Sequence, residues 1–220
     1  PDPYREIKKR ANEFALEMLP RLREQVARAP SAFEAALRIA IAGNLMDWGA
    51  KPHTDASDED IEKTLEQAQE AELKGGSPAE LRNKLSTADN VLYLADNAGE
   101  IAFDRLFISH IPCPDVTVAV RGGPIINDAT MEDARQVDLV NRAKVMDTGC
   151  DAPGVLLDEC SDEFRQKFGS ADIVISKGQG NYETLSHVTD GIVFMLKAKC
   201  PVVARDTDSE VGDMLLLDRS

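Results

Sequence analysis

In the stretch VLYLADNAGEIAFDRLF, residues 91–107, an apolar run from Val91 to Ala95 ends on a carboxylate and a carboxamide, Asp96 and Asn97. Side-chain oxygens of this kind suit a hard divalent cation, which prefers carboxylates, carbonyls and water. The same residue types also cap helices, and a helical pattern opens at Glu100. Asp128, in RGGPIINDATMEDA, carries the same two readings, ligand or cap, beside the capping-box spacing of Thr130 and Asp133. Gly122 and Gly123 ahead of Pro124 mark a loop that needs unusual backbone angles or close approach. A third stretch, ADIVISKGQGNYETL, ends on Lys177 and turns through Gly178 and Gly180 into a helix near Asn181. Backbone N–H groups in a glycine turn at a helix start make an anion pocket, and a lysine adds a point charge to it. A tight crossover turn with a solvated lysine fits these residues equally well on their own. The order GxxxxGK[ST] of a Walker loop is absent, and Gly178-Gln179-Gly180 lacks the third glycine of a dinucleotide fingerprint.

These stretches gain weight from the elements that must carry them. From about residue 87, short apolar β-rich runs alternate with helical ones: NVLYLAD, DVTVAVRG, AKVMDTG, ADIVISKG and GIVFMLKAKCPVVA, with MLLLDR as a further strand. Alternation of this kind predicts a mainly parallel, doubly wound α/β sheet. Continuous apolar strands fit burial on both faces. Ligands of such sheets lie beyond the C-terminal ends of the strands, and Asp96, Asn97, Asp128 and Lys177 all follow predicted strands. Residues 1–86 read as an all-helical lobe and residues 87–220 as the α/β domain. In the lobe, Ser31 with Glu34, Ser57 with Asp60, and Ser77 with Pro78 mark helix starts. Pro20 predicts a kink or restart inside the first helix. Asn44 and Asp47, in GNLMDWG, are placed to reach the site from the lobe, with Trp48 as packing.

The net charge of −14 argues against a general nucleic-acid or anionic-membrane partner, which would need basic surface. It leaves room for an anionic substrate, because a bound divalent cation inverts the local field. Cys113, Cys150, Cys160 and Cys200 form no CxxC, so neither a zinc site nor a disulfide framework is expected. With no signal peptide pattern and no apolar run near the ~18 residues of a membrane span, the chain reads as cytoplasmic. His53, His110 and His187 do not cluster with the three stretches and read as surface or packing residues.

Taken together, LADNAGEIAFDRL, RGGPIINDATMEDA and ADIVISKGQGNYETL resemble the DUF89 family, the ARMT1-like damage-control phosphatases, in its stand-alone prokaryotic and archaeal branch. The likeness runs from PDPYREIKK through AGNLMDWG to KCPVVA. It implies a Rossmann-like domain beside a helical portion, and divalent-metal-dependent hydrolysis of phosphate esters such as sugar phosphates or damaged phosphometabolites. It implies Asp96, Asn97 and Asp128 as metal ligands, Lys177 as the phosphate-binding lysine, and Asn181 and Tyr182 on the substrate side. It also implies a further helical segment with a CxxC pair ahead of PDPY; no such pair is in this sequence, so no cysteine metal site is expected here.

The expected chemistry is then a metal held by Asp96, Asn97 and Asp128 that polarises a phosphoryl group and acidifies a water. Lys177 and the Gly178–Gly180 amides would hold the remaining phosphate oxygens, and Asn44 would approach from the lobe. Glu100 is expected to orient a ligand or move a proton, and Asp104 to make a structural hydrogen bond. Attack by metal-activated water and attack by Asp128 through an aspartyl phosphate both remain open. Mg²⁺, Mn²⁺, Co²⁺ and Ni²⁺ all suit such ligands. Two other functions are compatible with parts of the pattern: a carboxyl methyltransferase using S-adenosylmethionine, and a non-catalytic metal-dependent binder of phosphometabolites. The first is disfavoured, since DNAGE offers one glycine and RGGP no ribose-binding acid.

Overall fold

The computed structural model describes residues 2–43, 63, 66–187 and 191–219. Asn44, Asp47, Trp48, His53 and the Ser57 cap lie outside the described residues. The first helix, α1 (Arg5–Arg28), buries Ala11, Asn12, Ala15, Leu19, Leu22 and Val26 along one stripe. It runs unbroken through Pro20, so the expected restart is not seen. Pro20 is exposed, and the apolar residues on either side of it are held by packing, which offsets its missing N–H. The second helix, α2 (Ala32–Gly43), opens where the Glu34 N–H donates to Ser31 Oγ at 3.3 Å and is buried along most of its length. Then come β1 (Leu73–Lys74) and α3 (Pro78–Thr87), the latter capped by Ser77 with Pro78 in its first turn.

The α/β portion follows as β2 (Asn90–Leu94), α4 (Glu100–Ile108), β3 (Asp115–Val120), α5 (Met131–Gln136) and β4 (Lys144–Asp147). Its second half is α6 (Asp162–Ser170), β5 (Ile173–Lys177), α7 (Gly178–Leu185), β6 (Ile192–Lys197), α8 (Pro201–Asp206) and β7 (Met214–Asp218). The strands form one seven-stranded sheet in the order β1-β7-β6-β5-β2-β3-β4. Neighbours are parallel except β6 and β7, which run antiparallel. The chain moves outward from β2 through β3 to β4, then returns to lay β5 and β6 on the other side of β2. The switch in direction therefore falls between β2 and β5, and it is beyond the strand ends at such a switch point that doubly wound sheets place their ligand crevice.

Two details depart from the sequence pattern. GIVFMLKAKCPVVA is not one strand: β6 ends at Lys197, and α8 begins at Pro201 with Cys200 as its cap. Pro201 fixes the first helical φ and needs no hydrogen-bond acceptor there. The two-residue β1 lies inside the stretch expected to be all helix and pairs with β7.

Side chains alternate across the sheet. Val91, Tyr93, Ile173, Ile175, Val193 and Met195 join a core with α1, α2 and α4 on one face. Leu92, Leu94, Val174, Phe194 and Leu196 join a second core with Phe164, Tyr182 and Leu185 on the other. In the first core, the fully buried Phe107 ring lies 5.3 Å from Phe33 edge-on and 6.4 Å from Tyr93. Phe107→Ala should cost about 3–5 kcal/mol, seen in urea unfolding as a lower midpoint at constant slope.

Candidate active site

The loop after β2 and the loop after β3 are stitched together by their backbones. Ala98 N–H donates to Asn127 O at 2.9 Å, and Ala129 N–H donates to Asp96 O at 2.8 Å. Asn97 and Asp128 face each other as a one-residue antiparallel bridge. The stitching draws Asp96, Asn97 and Asp128 to one point at the C-terminal edge of the sheet. Both carboxylates are largely out of solvent, at 7% exposure each.

The third stretch arrives from β5. Gly178 opens α7 at φ +79°, and a Cβ there would stand 1.9 Å from Asp96 Oδ2. Only a residue without a side chain lets the Asp96 carboxylate lie against this turn. Gly178→Ala should therefore push Asp96 aside, weakening Mn²⁺ binding and phosphate release at least tenfold. The left-handed backbone adds about 1–2 kcal/mol of lost stability; metal titration and thermal unfolding read the two effects separately.

Lys177 behaves differently from a solvated cradle lysine. Its side chain continues the face of Ile173 and Ile175 and passes under the helices, where it is fully buried. Its Nζ donates to Glu100 Oε1 at 2.5 Å, Asp104 Oδ1 at 2.6 Å and the Ala40 carbonyl at 3.0 Å. Burial alone would favour loss of its proton, but the Asp104 and Glu100 carboxylates outweigh burial and raise its pKa. Asp104 also accepts the Tyr93 hydroxyl at 2.7 Å, which matches the structural hydrogen bond expected of it. Lys177→Met would strand two buried carboxylates and should cost about 3–5 kcal/mol in chemical denaturation, less at acid pH, where Asp104, raised to about 6 chiefly by burial, protonates.

Glu100 connects this buried cation to the metal loop: its other oxygen accepts Asn97 Nδ2 at 3.2 Å, and the same nitrogen donates to Asp96 Oδ2 at 2.6 Å. With its nitrogen turned to carboxylates, Asn97 keeps its amide oxygen as the atom for a cation. Burial pushes Asp96 up to about 7, with Glu100 and Asp128 adding to the rise and Arg121 and Lys199 offsetting part of it. Burial likewise raises Asp128, against the pull of Arg121.

Arg121, at the end of β3, escaped the sequence reading. It is 2% exposed, donates Nε to Asp128 Oδ2 at 2.6 Å and donates Nη2 to Asn181 Oδ1 at 2.8 Å. The signal was present as a lone basic residue directly after a strand, overshadowed by the glycines that follow it. Asn181 is thus turned inward, its amide nitrogen donating to the Lys177 and Ala95 carbonyls. Tyr182 lies in the second core, with its hydroxyl 2.5 Å from Asp206 Oδ2 and Arg219 at 2.9 Å. The reason is helical phase: α7 points successive residues to different sides, and position 182 faces Phe194, 5.1 Å away, instead of the crevice. Gly180 stays by the crevice rim against Gly154, and Asn44 lies outside the described residues.

Two further observations bear on what the crevice holds. Among the described residues, no three His, Cys, Asp or Glu side chains gather as a ready metal centre. The candidate set has instead two carboxylates and an amide, oxygen donors whose mutual repulsion a hard cation would relieve, so the residues fit a divalent ion. Among the described residues the buried Asn127 side-chain nitrogen, next to Asp128, has no hydrogen-bond partner, which makes it a donor suited to an anionic oxygen.

Known proteins share the sequence and the fold of this chain. Residues 1–215 match the family described as the damage-control phosphatase ARMT1-like domain. A damage-control phosphatase from Archaeoglobus fulgidus is 41% identical over 222 residues, covering 97% of this chain and 75% of that protein. A damage-control phosphatase from Pyrococcus horikoshii is 38% identical over 220 residues, covering 98% of this chain and 74% of that one. An uncharacterized protein from Methanocaldococcus jannaschii is 40% identical over 228 residues, covering 99% and 74%. The crystal structure of a DUF89 family protein from Pyrococcus horikoshii superposes with a TM-score of 0.88 at 37% identity, covering 100% of this chain and 76% of that one.

Proposed function

The chain belongs to the damage-control phosphatase ARMT1-like family, and from that membership and the crevice geometry we propose that it is a divalent-metal-dependent phosphatase acting on a small phosphorylated metabolite. The observation that carries the reading is the Asp96 carboxylate, which lies against the Gly178 turn on one side and the Asn97–Asp128 bridge on the other. Metal ligands and an anion cradle meet at that one group.

Asp96, Asn97 and Asp128 would hold the ion, which supplies a Lewis acid for the phosphoryl oxygens and an acidified water. Arg121 fixes the orientation of Asp128 and keeps one of its oxygens occupied, which favours water over Asp128 as nucleophile. The backbone amides at Gly178–Gly180 and the Asn127 side-chain nitrogen, unpartnered among the described residues, would donate to phosphate oxygens as charge accumulates there. Lys177 acts from beneath: it donates to Glu100, and Glu100 holds the Asn97 nitrogen, which would leave the Asn97 oxygen for the ion. In the same reading, residues 1–86 form a helical lobe and residues 87–220 the site-bearing domain; the described helices of the first part share the core of the second, and Leu73–Lys74 pairs into its sheet. Mg²⁺, Mn²⁺, Co²⁺ and Ni²⁺ are the candidate ions, and the cysteines, all of them unpaired, support a reducing, cytoplasmic setting. The single glycine of the β2–α4 turn, Gly99, is packed against Ala11, which disfavours its use as a glycine-rich loop for S-adenosylmethionine.

Phosphate release from a panel of sugar phosphates and p-nitrophenyl phosphate tests the reading, using metal-stripped protein, each divalent ion in turn, and Asp96→Asn. Turnover should return with metal and drop at least a hundredfold in the variant. Metal binding without turnover on any substrate would favour a non-catalytic binder.

A further inference from the structure

Asn12 is a polar residue in the middle of the stripe that α1 buries, and it is 0% exposed. Its carboxamide is fully used. Oδ1 accepts the Gly99 N–H at 2.7 Å, while Nδ2 donates to Asp133 Oδ1 at 2.9 Å and to Gln136 Oε1 at 2.8 Å. Gly99 lies two residues beyond Asn97 and is the cap of α4. Asp133 in turn accepts the Thr130 N–H at 2.8 Å and the Thr130 hydroxyl at 2.7 Å, and pairs with the buried Lys8 at 2.9 Å. Thr130 lies two residues beyond Asp128.

These bonds close a ring. It runs from Asp96 through Asn97 to Gly99, across Asn12 to Asp133 and Thr130, and back through the Ala129-to-Asp96 backbone bond. The two loops are stitched at one end by their backbones, and Asn12 ties their other ends. Small neighbours make this possible: a Cβ on Gly99 would stand 3.1 Å from the Ala11 methyl, so α1 already sits as close as the turn allows. A carboxamide supplies an acceptor for Gly99 and one hydrogen each for Asp133 and Gln136, whereas a serine hydroxyl has a single hydrogen on a shorter stem. A carboxylate would face Asp133 with like charge, and an apolar side chain would leave Gly99 and Asp133 short of a partner in a buried site.

We propose that Asn12 is a positioning residue that sets the separation of the Asp96–Asn97 pair from Asp128, and hence the affinity of the site for its divalent ion, an inference that rests on the metal reading above. It touches neither ion nor substrate. Its effect passes through the two loops it joins, in the way that outer hydrogen-bond partners orient metal ligands.

The test compares full-length wild type, Asn12→Ala, Asn12→Ser and Leu22→Ala. Leu22 lies on the same buried stripe of α1, more than two turns away, so its truncation weakens the packing of the helix without contacting either loop. Mn²⁺ affinity is measured directly by the paramagnetic signal of the free ion. Exchange of the Gly99 and Thr130 amides is followed in the metal-free protein. Both Asn12 variants should bind Mn²⁺ about 10–100-fold more weakly, with faster exchange at both amides. The metal concentration for half-maximal turnover should rise by the same factor, while kcat at saturating Mn²⁺ stays within about threefold of wild type. Leu22→Ala should lose stability yet bind Mn²⁺ like wild type. Wild-type Mn²⁺ affinity in a folded Asn12 variant, or an equal loss in Leu22→Ala, would overturn the proposal and leave the metal reading intact. Absence of divalent binding in the wild type would remove both. Should Asn12→Ala not fold, the Asn12→Ser affinity and exchange decide alone.

Discussion

A buried ammonium organises this molecule. Taking Lys177 out of water costs several kcal/mol, and the cost is offset only when its hydrogens find acceptors of good geometry. Those acceptors come from three places in the chain: Glu100 and Asp104 on α4, and the Ala40 carbonyl in the last turn of α2. The Ala40 carbonyl adds a neutral backbone acceptor to the two carboxylates, so all three ammonium hydrogens are used. One side chain therefore specifies how β5, α4 and α2 meet. Because Glu100 also reaches Asn97, the same charge is felt in the crevice, and the site's electrostatics follow from the way its floor is held together.

Carboxylates crowd this edge of the sheet. Burial raises both Asp96 and Asp128, Glu100 adds to each rise, and Arg121 offsets part of both. A protein that keeps this crowding at a sheet edge holds a preorganised demand for positive charge. The two sides of the crevice differ in kind: oxygen atoms on the β2 and β3 loops, and N–H groups on the glycine turn after β5. That asymmetry suits a ligand that carries a cation at one end of a phosphoryl group and bare oxygens at the other.

Much of this was legible before any coordinates. Strands alternating with helices announced the parallel sheet, and polar residues following strands located the crevice, because a doubly wound topology sends all such ends to one edge. The direction of Lys177 was also readable in principle: Ile173, Ile175 and Lys177 share a face by the period of two, and that face is the one covered by the helices. The fate of Tyr182 was harder, since it depends on the phase of a helix whose first residue shifts by one or two positions easily. Arg121 was hidden because a lone arginine carries no spacing signal, and its meaning comes from Asn181, 60 positions later. β1 is too short for any periodicity, and KCPVVA mimics a strand in composition while its Cys200–Pro201 pair starts a helix. Asn12 was invisible for a related reason: one asparagine in a charged amphipathic helix looks like surface until its partners from α4 and α5 are in view.

The pairing of β1 with β7 sets the order in which the fold can be completed. Leu73 finds Met214, a closure of about 140 residues whose entropic cost grows only slowly with length but whose search is slow. During synthesis, residues 73–74 must wait beside an unfinished sheet until β7 has left the ribosome and docked antiparallel on β6. Until then β6 presents an open, apolar edge. The vulnerable species is thus a chain whose sheet is still unsealed at β6, because an unpaired apolar strand is a template for pairing with another chain.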